Sequence, residues 1–357
     1  MSKTLDTSSV LEILRPVQDP ELRKSLVELN MIRNVKIDDA GTVSFTLVLT
    51  TPACPLREFI VEDCQRAVKQ LPGVKDVVVD VTAETPQQKS LPDRTGINGV
   101  KNILAISSGK GGVGKSTVAV NVAVALAQAG AKVGMIDADI YGPNVPTMLG
   151  LENAQVMVQQ GQQGEVLEPA FNYGVKLVSM GFLIDKDQPV IWRGPMLNGI
   201  IRQFLYQVQW GELDYLIVDM PPGTGDAQLT LAQAVPMAGA VIVTTPQNVA
   251  LLDARKGLRM FQQMGVSVLG IVENMSYFIP PDMPEKNYDI FGSGGGEKTA
   301  KELAVPLLGC VPLEIPLRQG ADRGVPIVIA DPLSASAQAL VAIAQRIAGK
   351  VSVAALV

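Results

Sequence analysis

Apolar and polar positions recur along this chain with two different periods, and the change of period divides it. Apolar residues return at helical spacing over residues 9–15 and again from about residue 56 to 71. Between them, residues 35–37 and 43–49 alternate at period two around the turn Asp38-Asp39-Ala40-Gly41, and residues 74–81 return as a third strand. The stretch 84–98, which includes Glu84-Thr85-Pro86-Gln87-Gln88-Lys89-Ser90-Leu91-Pro92-Asp93, is polar, proline-bearing and aperiodic, the pattern of a linker. Beyond it, short apolar runs alternate with helical-period segments to about residue 348. A run that is apolar at every position belongs to a strand covered on both faces. The second part is therefore expected to be α/β, a mostly parallel sheet covered by helices on both faces. The expected organisation is a small α+β domain at 1–83, a linker at 84–98 and the α/β domain at 99–357.

Chemistry enters at the first apolar run of the larger part. A strand at 103–106 leads into Ser107-Ser108-Gly109-Lys110-Gly111-Gly112-Val113-Gly114-Lys115-Ser116-Thr117, and an Ala/Val-rich helix over about 116–129 leads out. From Gly109 to Ser116 this is the phosphate-binding pattern G-x-x-x-x-G-K-[ST]. Glycines let backbone N–H groups curl round phosphate oxygens without side-chain clash. Lys115 neutralises charge on the β- and γ-phosphates, and the Ser116 hydroxyl holds Mg²⁺. The helix N-terminus adds a partial positive charge at the same place. ATP and Mg²⁺ are the expected ligands of a P-loop NTPase sheet.

Two later strands end in carboxylates. The run 133–136 ends in Asp137-Ala138-Asp139, and 213–219 ends in Asp219, followed by Met220-Pro221-Pro222-Gly223-Thr224-Gly225-Asp226. Strand C-termini are where an open α/β sheet holds its ligands. Any one such acid is as well explained as a helix cap, but three in step with a phosphate loop point to nucleotide chemistry. Asp219 is expected to hold the Mg²⁺ hydration shell. The Pro/Gly turn with Gly223 is suited to sensing a γ-phosphate.

Composition narrows the setting. The chain has 357 residues, a net charge of −5 and no histidine, which removes serine–histidine catalysis, histidine-ligated zinc and histidine proton shuttling. An acidic balance argues against a nucleic-acid groove. No apolar run approaches a membrane span and no basic-then-apolar leader opens the chain, so neither membrane association nor secretion is expected. Three cysteines, Cys54, Cys64 and Cys310, fit a reducing, cytoplasmic compartment. Cys64 shares a helical face with Ile60, Ala67, Val68 and Leu71 and reads as core, and Cys310 reads as a buried strand residue. Cys54 lies in a Pro-flanked loop just before a helix, where a helix N-terminus would lower its pKa.

The early lysine makes the loop specific. Lys110-Gly111-Gly112-Val113-Gly114-Lys115-Ser116-Thr117 resembles the deviant Walker A loop of the MinD/ParA group of ATPases. Within that group the chain resembles the Mrp/ApbC iron–sulfur cluster carriers. The stretches that carry this are Asp137-Ala138-Asp139-Ile140-Tyr141-Gly142-Pro143-Asn144-Val145-Pro146, Trp192-Arg193-Gly194-Pro195-Met196, the turn at 221–226, Val272-Glu273-Asn274-Met275-Ser276 and Phe291-Gly292-Ser293-Gly294-Gly295-Gly296. The first part resembles the accessory domain of iron–sulfur assembly proteins through Asp19-Pro20-Glu21-Leu22 and Thr50-Thr51-Pro52-Ala53-Cys54-Pro55-Leu56.

The resemblance implies a slow, dimer-dependent ATP hydrolase that transfers iron–sulfur clusters to apo-protein clients and works with assembly proteins. In that reading Lys110 reaches the nucleotide of the other subunit of a sandwich homodimer, Lys115 binds phosphate and Asp139 orients the attacking water. Ser116, Asp137 and Asp219 support Mg²⁺. Gly109, Gly111, Gly112, Val113, Gly114, Lys115, Ser116, Thr117, Gly223 and Asn274 hold the nucleotide, with Asn274 on the base. Plainer readings stand beside these. Lys110 as a surface charge, Asn274 as a turn cap, Gly292–Gly296 as a helix start instead of an anion nest, and Trp192 as packing instead of a dimer contact all satisfy the residues. Many Mrp/ApbC proteins carry a Cys-x-x-Cys pair after Asn-Met-Ser, which supplies thiolates to a bridging cluster. Residues 277–289 contain no cysteine. Cys54, the functional cysteine of the accessory family, is then a possible iron–sulfur ligand or reactive thiol, or a small residue filling a turn. Three functions remain open: a cluster carrier, a cluster-free adaptor ATPase, and a MinD/ParA-like positioning switch that uses the mildly amphipathic tail 335–357.

Overall fold

The computed structural model describes residues 5–87, 94–139, 142–154, 157–161, 164–183 and 194–356. The chain folds as two compact units, Met1–Pro86 with Ala348–Val357, and Gln87–Ile347. Ile140, Tyr141, Trp192, Arg193 and the linker centre 88–93 lie outside the described residues, and so do the readings placed on them.

The small unit has α1 (Thr7–Leu14), β1 (Ile32–Ile37), β2 (Thr42–Leu49), α2 (Arg57–Val68) and β3 (Asp76–Ala83). Helix α1 starts where the Asp6 carboxylate accepts the Ser9 N–H at 2.8 Å, one of the donors a helix start leaves unpaired. β2 is central, antiparallel to β1 and parallel to β3. Its inward residues, Val43, Phe45, Leu47 and Leu49, meet Val10 and Leu14 of α1 and Ile60, Cys64 and Val68 of α2 in one core. β1 starts earlier than its alternation indicates. The register slips between Arg33 and Lys36, where Asn34 takes φ +54°, so one residue falls out of step with period two. The last turns of the chain complete this unit. The Ser352 hydroxyl donates to the Thr50 carbonyl at 3.1 Å, and Gly349 sits where a Cβ would lie 2.6 Å from a Glu21 carboxylate oxygen. A linear segmentation at 99–357 has no means of making that grouping.

The larger unit runs β4 (Val100–Ser108), α3 (Lys115–Gln128), β5 (Val133–Asp137), α4 (Val145–Met148), the hairpin β6 (Met157–Gly161) and β7 (Gly164–Glu168), then β8 (Ala170–Asn172) and β9 (Val175–Ser179). There follow α5 (Gly194–Tyr206), β10 (Leu213–Asp219), α6 (Asp226–Ala234), β11 (Met237–Thr244), α7 (Asn248–Gln263), β12 (Val268–Phe278) and α8 (Gly295–Glu302). The chain closes with β13 (Leu307–Leu313), α9 (Ile315–Arg323), α10 (Ile327–Ala330) and α11 (Ala335–Leu356). Eight strands form one sheet in the order β13-β12-β11-β4-β10-β5-β9-β8, parallel except for the short edge strand β8. The fold is the mostly parallel α/β sheet expected from the apolar runs. β5, β10 and β11 are buried at every position, as strands between two helical layers must be. The chain enters β4 and β10 next to each other at the centre, so their C-terminal ends open on one shared edge.

Candidate functional site

That edge carries the phosphate loop. Ser108 ends β4, Lys115 begins α3, and Gly114 between them caps the helix with φ +80°. Only glycine takes this conformation freely. Gly114 also lies against Asn274, in the middle of β12 and not at a strand end, where a Cβ would sit 2.1 Å from Asn274 Nδ2. Gly109 is as tightly placed, since a Cβ there would lie 2.1 Å from the Asp253 backbone in α7. The loop is tied from several sides. Asn274 Nδ2 donates to the Val113 carbonyl at 2.9 Å, Ser108 Oγ donates to the Lys110 carbonyl at 3.0 Å, and the Gly223 N–H donates to the Ser108 carbonyl at 2.9 Å.

A cavity of about 170 Å³ opens over it, lined by Ser108, Gly111, Gly112, Gly114, Lys115, Ser116, Thr117, Asp139, Asn144, Met148 and Pro222. Its charged floor is compact. Lys115 Nζ donates to Asp219 Oδ1 at 2.8 Å and to Ser116 Oγ at 3.2 Å, and lies 3.5 Å from Asp139 Oδ2. Ser116 Oγ donates to Asp219 Oδ2 at 2.5 Å. Burial pushes the Asp219 carboxyl above the usual carboxylate range, and the Lys115 charge and the Lys115 and Ser116 hydrogen bonds pull it back. Lys110 is half-exposed in the loop and is not among the residues that line the cavity. The buried Lys115 ammonium, the backbone amides and the start of α3 favour an anion. The Ser116 and Asp219 oxygens form a hard, oxygen-only donor set of the kind Mg²⁺ prefers.

Three expectations meet a different geometry. Asp137 does not line the cavity, and both its oxygens are occupied by protein donors: the Asp139 N–H on Oδ1, and the Val145 N–H and Ser179 hydroxyl on Oδ2. Asp219 is engaged on both oxygens as well, but by Lys115 and Ser116, which line the cavity, whereas of the donors to Asp137 only Asp139 lines it. Asn274 is buried and spends an amide proton on the loop itself. Of the glycines at 292–296, Gly295 and Gly296 open α8, as the helix-start reading has it, and Gly296 alone meets a carboxylate, the chain's own. The Gly296 N–H donates to the buried Glu273 carboxylate at 2.5 Å, at the start of α8.

The cysteines are also placed. Cys64 is core, as its helical face indicates, whereas Cys310 is half-buried in β13, its Sγ 3.9 Å from Glu273 Oε1. The lowered pKa expected for Cys54 is corrected. Burial pushes its thiol up, the Leu56 N–H only partly offsets this, and the Glu21 and Asp19 carboxylates raise it further. Leu56 is the N-cap of α2, so the helix start does act on the sulfur in the expected direction, but burial outweighs it. Among the described residues no group of three or more Cys, Asp or Glu is placed to hold a metal ion, and no helix is long and apolar enough to cross a membrane.

Sequence reasoning missed Asn144 and Met148 in the cavity wall, and Ser179 behind Asp137. Nothing local marks Ser179, which becomes visible only through the pairing of β5 with β9.

A central parallel sheet, a glycine loop at a helix start, and a Lys–Ser–Asp cluster beneath it define a P-loop NTPase. The model described as NUBPL iron-transfer P-loop NTPase matches residues 99–348, and the model described as iron-sulfur cluster assembly protein matches residues 7–81. The chain belongs to this family of iron-transfer P-loop NTPases. It is 80% identical over 353 residues to the iron-sulfur cluster carrier protein of Synechocystis sp., spanning 99% of this chain and 100% of that one. It is 45% identical over 334 residues to the iron-sulfur cluster carrier protein of Escherichia coli K12, spanning 93% and 89%. Among solved structures it resembles a nucleotide-binding protein of Archaeoglobus fulgidus in complex with ADP, at 38% identity and TM-score 0.57, over 67% of this chain and 91% of that one. It also resembles the cell division ATPase MinD of Pyrococcus furiosus, at 25% identity and TM-score 0.51, over 69% and 98%.

Proposed function

We propose that this chain binds and hydrolyses ATP in the cytoplasm and uses the cycle to carry iron–sulfur clusters to apo-proteins. The observation that carries the nucleotide half is the cluster of Lys115, Ser116 and Asp219, closed within 3.2 Å at the mouth of α3. In the reading we favour, triphosphate enters the cavity, and Lys115 exchanges Asp219 and Asp139 for phosphate oxygens. The loop amides and the start of α3 take up the remaining charge. Ser116 and Asp219 would hold Mg²⁺, which supplies charge neutralisation across the β- and γ-phosphates. Asp139, released from Lys115, faces the cavity and orients the attacking water. Asn274 shapes the loop through Val113, and its carbonyl oxygen is left to meet a base. Lys110, half-exposed in the loop, reaches the nucleotide of a second copy, which makes hydrolysis dimer-dependent.

The cargo half rests on membership of the family and on the relatives named as cluster carriers. Cys54 is our ligand candidate in the small unit. One observation favours a second reading, a cluster-free adaptor acting on assembly proteins. Residues 277–289 contain no cysteine, and two Cys54 thiolates from a homodimer fill only half of a four-thiolate site. Anaerobic reconstitution with iron and sulfide, wild type against Cys54→Ser, decides between them. Iron that depends on Cys54 and passes to an apo-ferredoxin supports the carrier. ATPase activity without bound iron leaves the adaptor. For the nucleotide half, Lys115→Ala should abolish tight ATP binding, and retained affinity would sink the site.

A further inference from the structure

We propose that Ser179 is a positioning residue for the hydrolysis described above, acting through Asp137, and that Asp137 braces Asp139 and is not a ligand of Mg²⁺. The inference rests on the ATPase reading of this site.

The placement begins with sheet register. β9, β5 and β10 are adjacent and parallel, and Ser179 pairs with Asp137, which pairs with Asp219. Three polar side chains thus stand in one row across three strand ends, and all three residues are fully buried. Polar groups buried this deeply persist only when hydrogen-bonded. Asp219 turns to Lys115 and Ser116, on the cavity. Asp137 takes a different set of donors. Its Oδ2 accepts the Ser179 hydroxyl at 2.8 Å and the Val145 N–H at 3.3 Å, and its Oδ1 accepts the Asp139 N–H at 3.2 Å.

These bonds hold both ends of one segment. Asp139 is where the chain leaves β5, and Val145 is where α4 begins. One carboxylate clamps both, and the Ala138 N–H adds a bond to the Asp219 carbonyl at 3.0 Å. Ser179 fixes the clamp. Its hydroxyl donates to Asp137 and accepts the Gly181 N–H at 2.9 Å, so its rotor has one setting. Removing the hydroxyl leaves a fully buried carboxylate oxygen short of a donor, and the carboxylate must turn to find another. The Asp139 backbone, and with it the water-orienting side chain, then loses its reference to the phosphate loop. A displacement near 1 Å at such a group is costly to rate while leaving binding largely intact.

The test compares wild type, Ser179→Ala, Ser179→Thr and Asp137→Asn in the full chain. The readouts are steady-state ATP hydrolysis, the Mg²⁺ concentration that half-saturates it, and Mg²⁺-dependent ADP binding by calorimetry. Ser179→Ala should lower kcat about tenfold, the rate equivalent of one hydrogen bond, with KM for ATP and the Mg²⁺ requirement within about twofold. Ser179→Thr keeps the hydroxyl and should recover most of kcat. Asp137→Asn should leave the Mg²⁺ requirement of ADP binding within about twofold, a measurement that needs no turnover. Full kcat in Ser179→Ala overturns the positioning role. So does an equal loss in the Ala and Thr variants that tracks a fall in melting temperature, because that marks packing alone. A tenfold rise in the Mg²⁺ requirement of Asp137→Asn makes Asp137 a metal ligand and overturns the brace. A wild-type chain with no turnover sinks the hydrolysis reading itself, an outcome separate from an active wild type with an indifferent Ser179.

Discussion

Replacing Lys115 by Met tests the electrostatics of the site without nucleotide. The ammonium is buried beside Asp219, which is fully buried, at 2.8 Å, and beside Asp139 at 3.5 Å. Met fills similar volume without charge. Breaking a buried pair by removing one partner costs about 3–5 kcal/mol, chiefly because the other charge stays behind unpaired. Asp219 has a way out, which is to take a proton. Its carboxyl is already raised by burial, and the Lys115 charge does most to oppose that rise. A carboxyl with a raised folded pKa contributes stability that is complete below its unfolded value near 4 and drains away as pH climbs through the folded value. Loss of Lys115 raises the folded value further and widens that window upward. Over two pH units inside it the difference amounts to about 2.7 kcal/mol. Lys115→Met should therefore destabilise the protein by about 3–5 kcal/mol where the stranded carboxylate is ionised, and by less at pH 6 than at pH 8. For a unit of this size each kcal/mol moves the melting point by roughly 2–4 °C. The assay is calorimetric melting of nucleotide-free protein in chelator at both pH values, with Lys115→Met/Asp219→Asn beside it. The double variant removes the stranded charge and should recover most of the pH 8 loss. An equal loss at both pH values, or no recovery in the double variant, refutes the reasoning.

Other expectations are shorter. Gly114→Ala forces a side chain into φ +80° and onto Asn274, so it should cost at least about 1–2 kcal/mol from conformation alone and weaken ATP binding. Wild-type affinity in that variant would mean the loop rearranges freely. Lys110→Ala should keep ATP affinity and lose hydrolysis; normal turnover would return Lys110 to a surface charge. Because burial and nearby carboxylates raise the Cys54 thiol, iodoacetamide should label it more slowly than a free thiol at pH 7, with a rate that climbs only above the ordinary thiol range near 8.5. Mass-spectrometric labelling that finds Cys54 faster than a free thiol at pH 7 would contradict that environment.

The parts of the site that lie within one strand–loop–helix unit were legible in the chain. Gly109 to Thr117 announces itself because the glycines, the lysine and the hydroxyl must be contiguous to wrap one phosphate group. Asp219 was legible because an apolar strand ending in an acid marks the edge of a parallel sheet. The α/β class followed from apolar runs that leave no polar face.

Tertiary structure decided the lateral relations. Asn274 binds Val113 from 161 residues away and Ser179 binds Asp137 from 42, through strand order and register that no local pattern encodes. The same holds for Asp137, for which the family resemblance implies Mg²⁺ support and whose oxygens the fold engages with the Asp139 and Val145 N–H groups and the Ser179 hydroxyl. For Cys54, proximity to a helix in sequence suggested a low pKa. Three-dimensional burial and the approach of Glu21 and Asp19 reversed the sign. Sequence by itself determined which residues have the chemistry and which stretches of backbone can form the loop, because both depend on short-range sterics and residue type. Only the fold decided which lone pairs and protons are already spent, because hydrogen-bond partners and burial are properties of packing between distant segments.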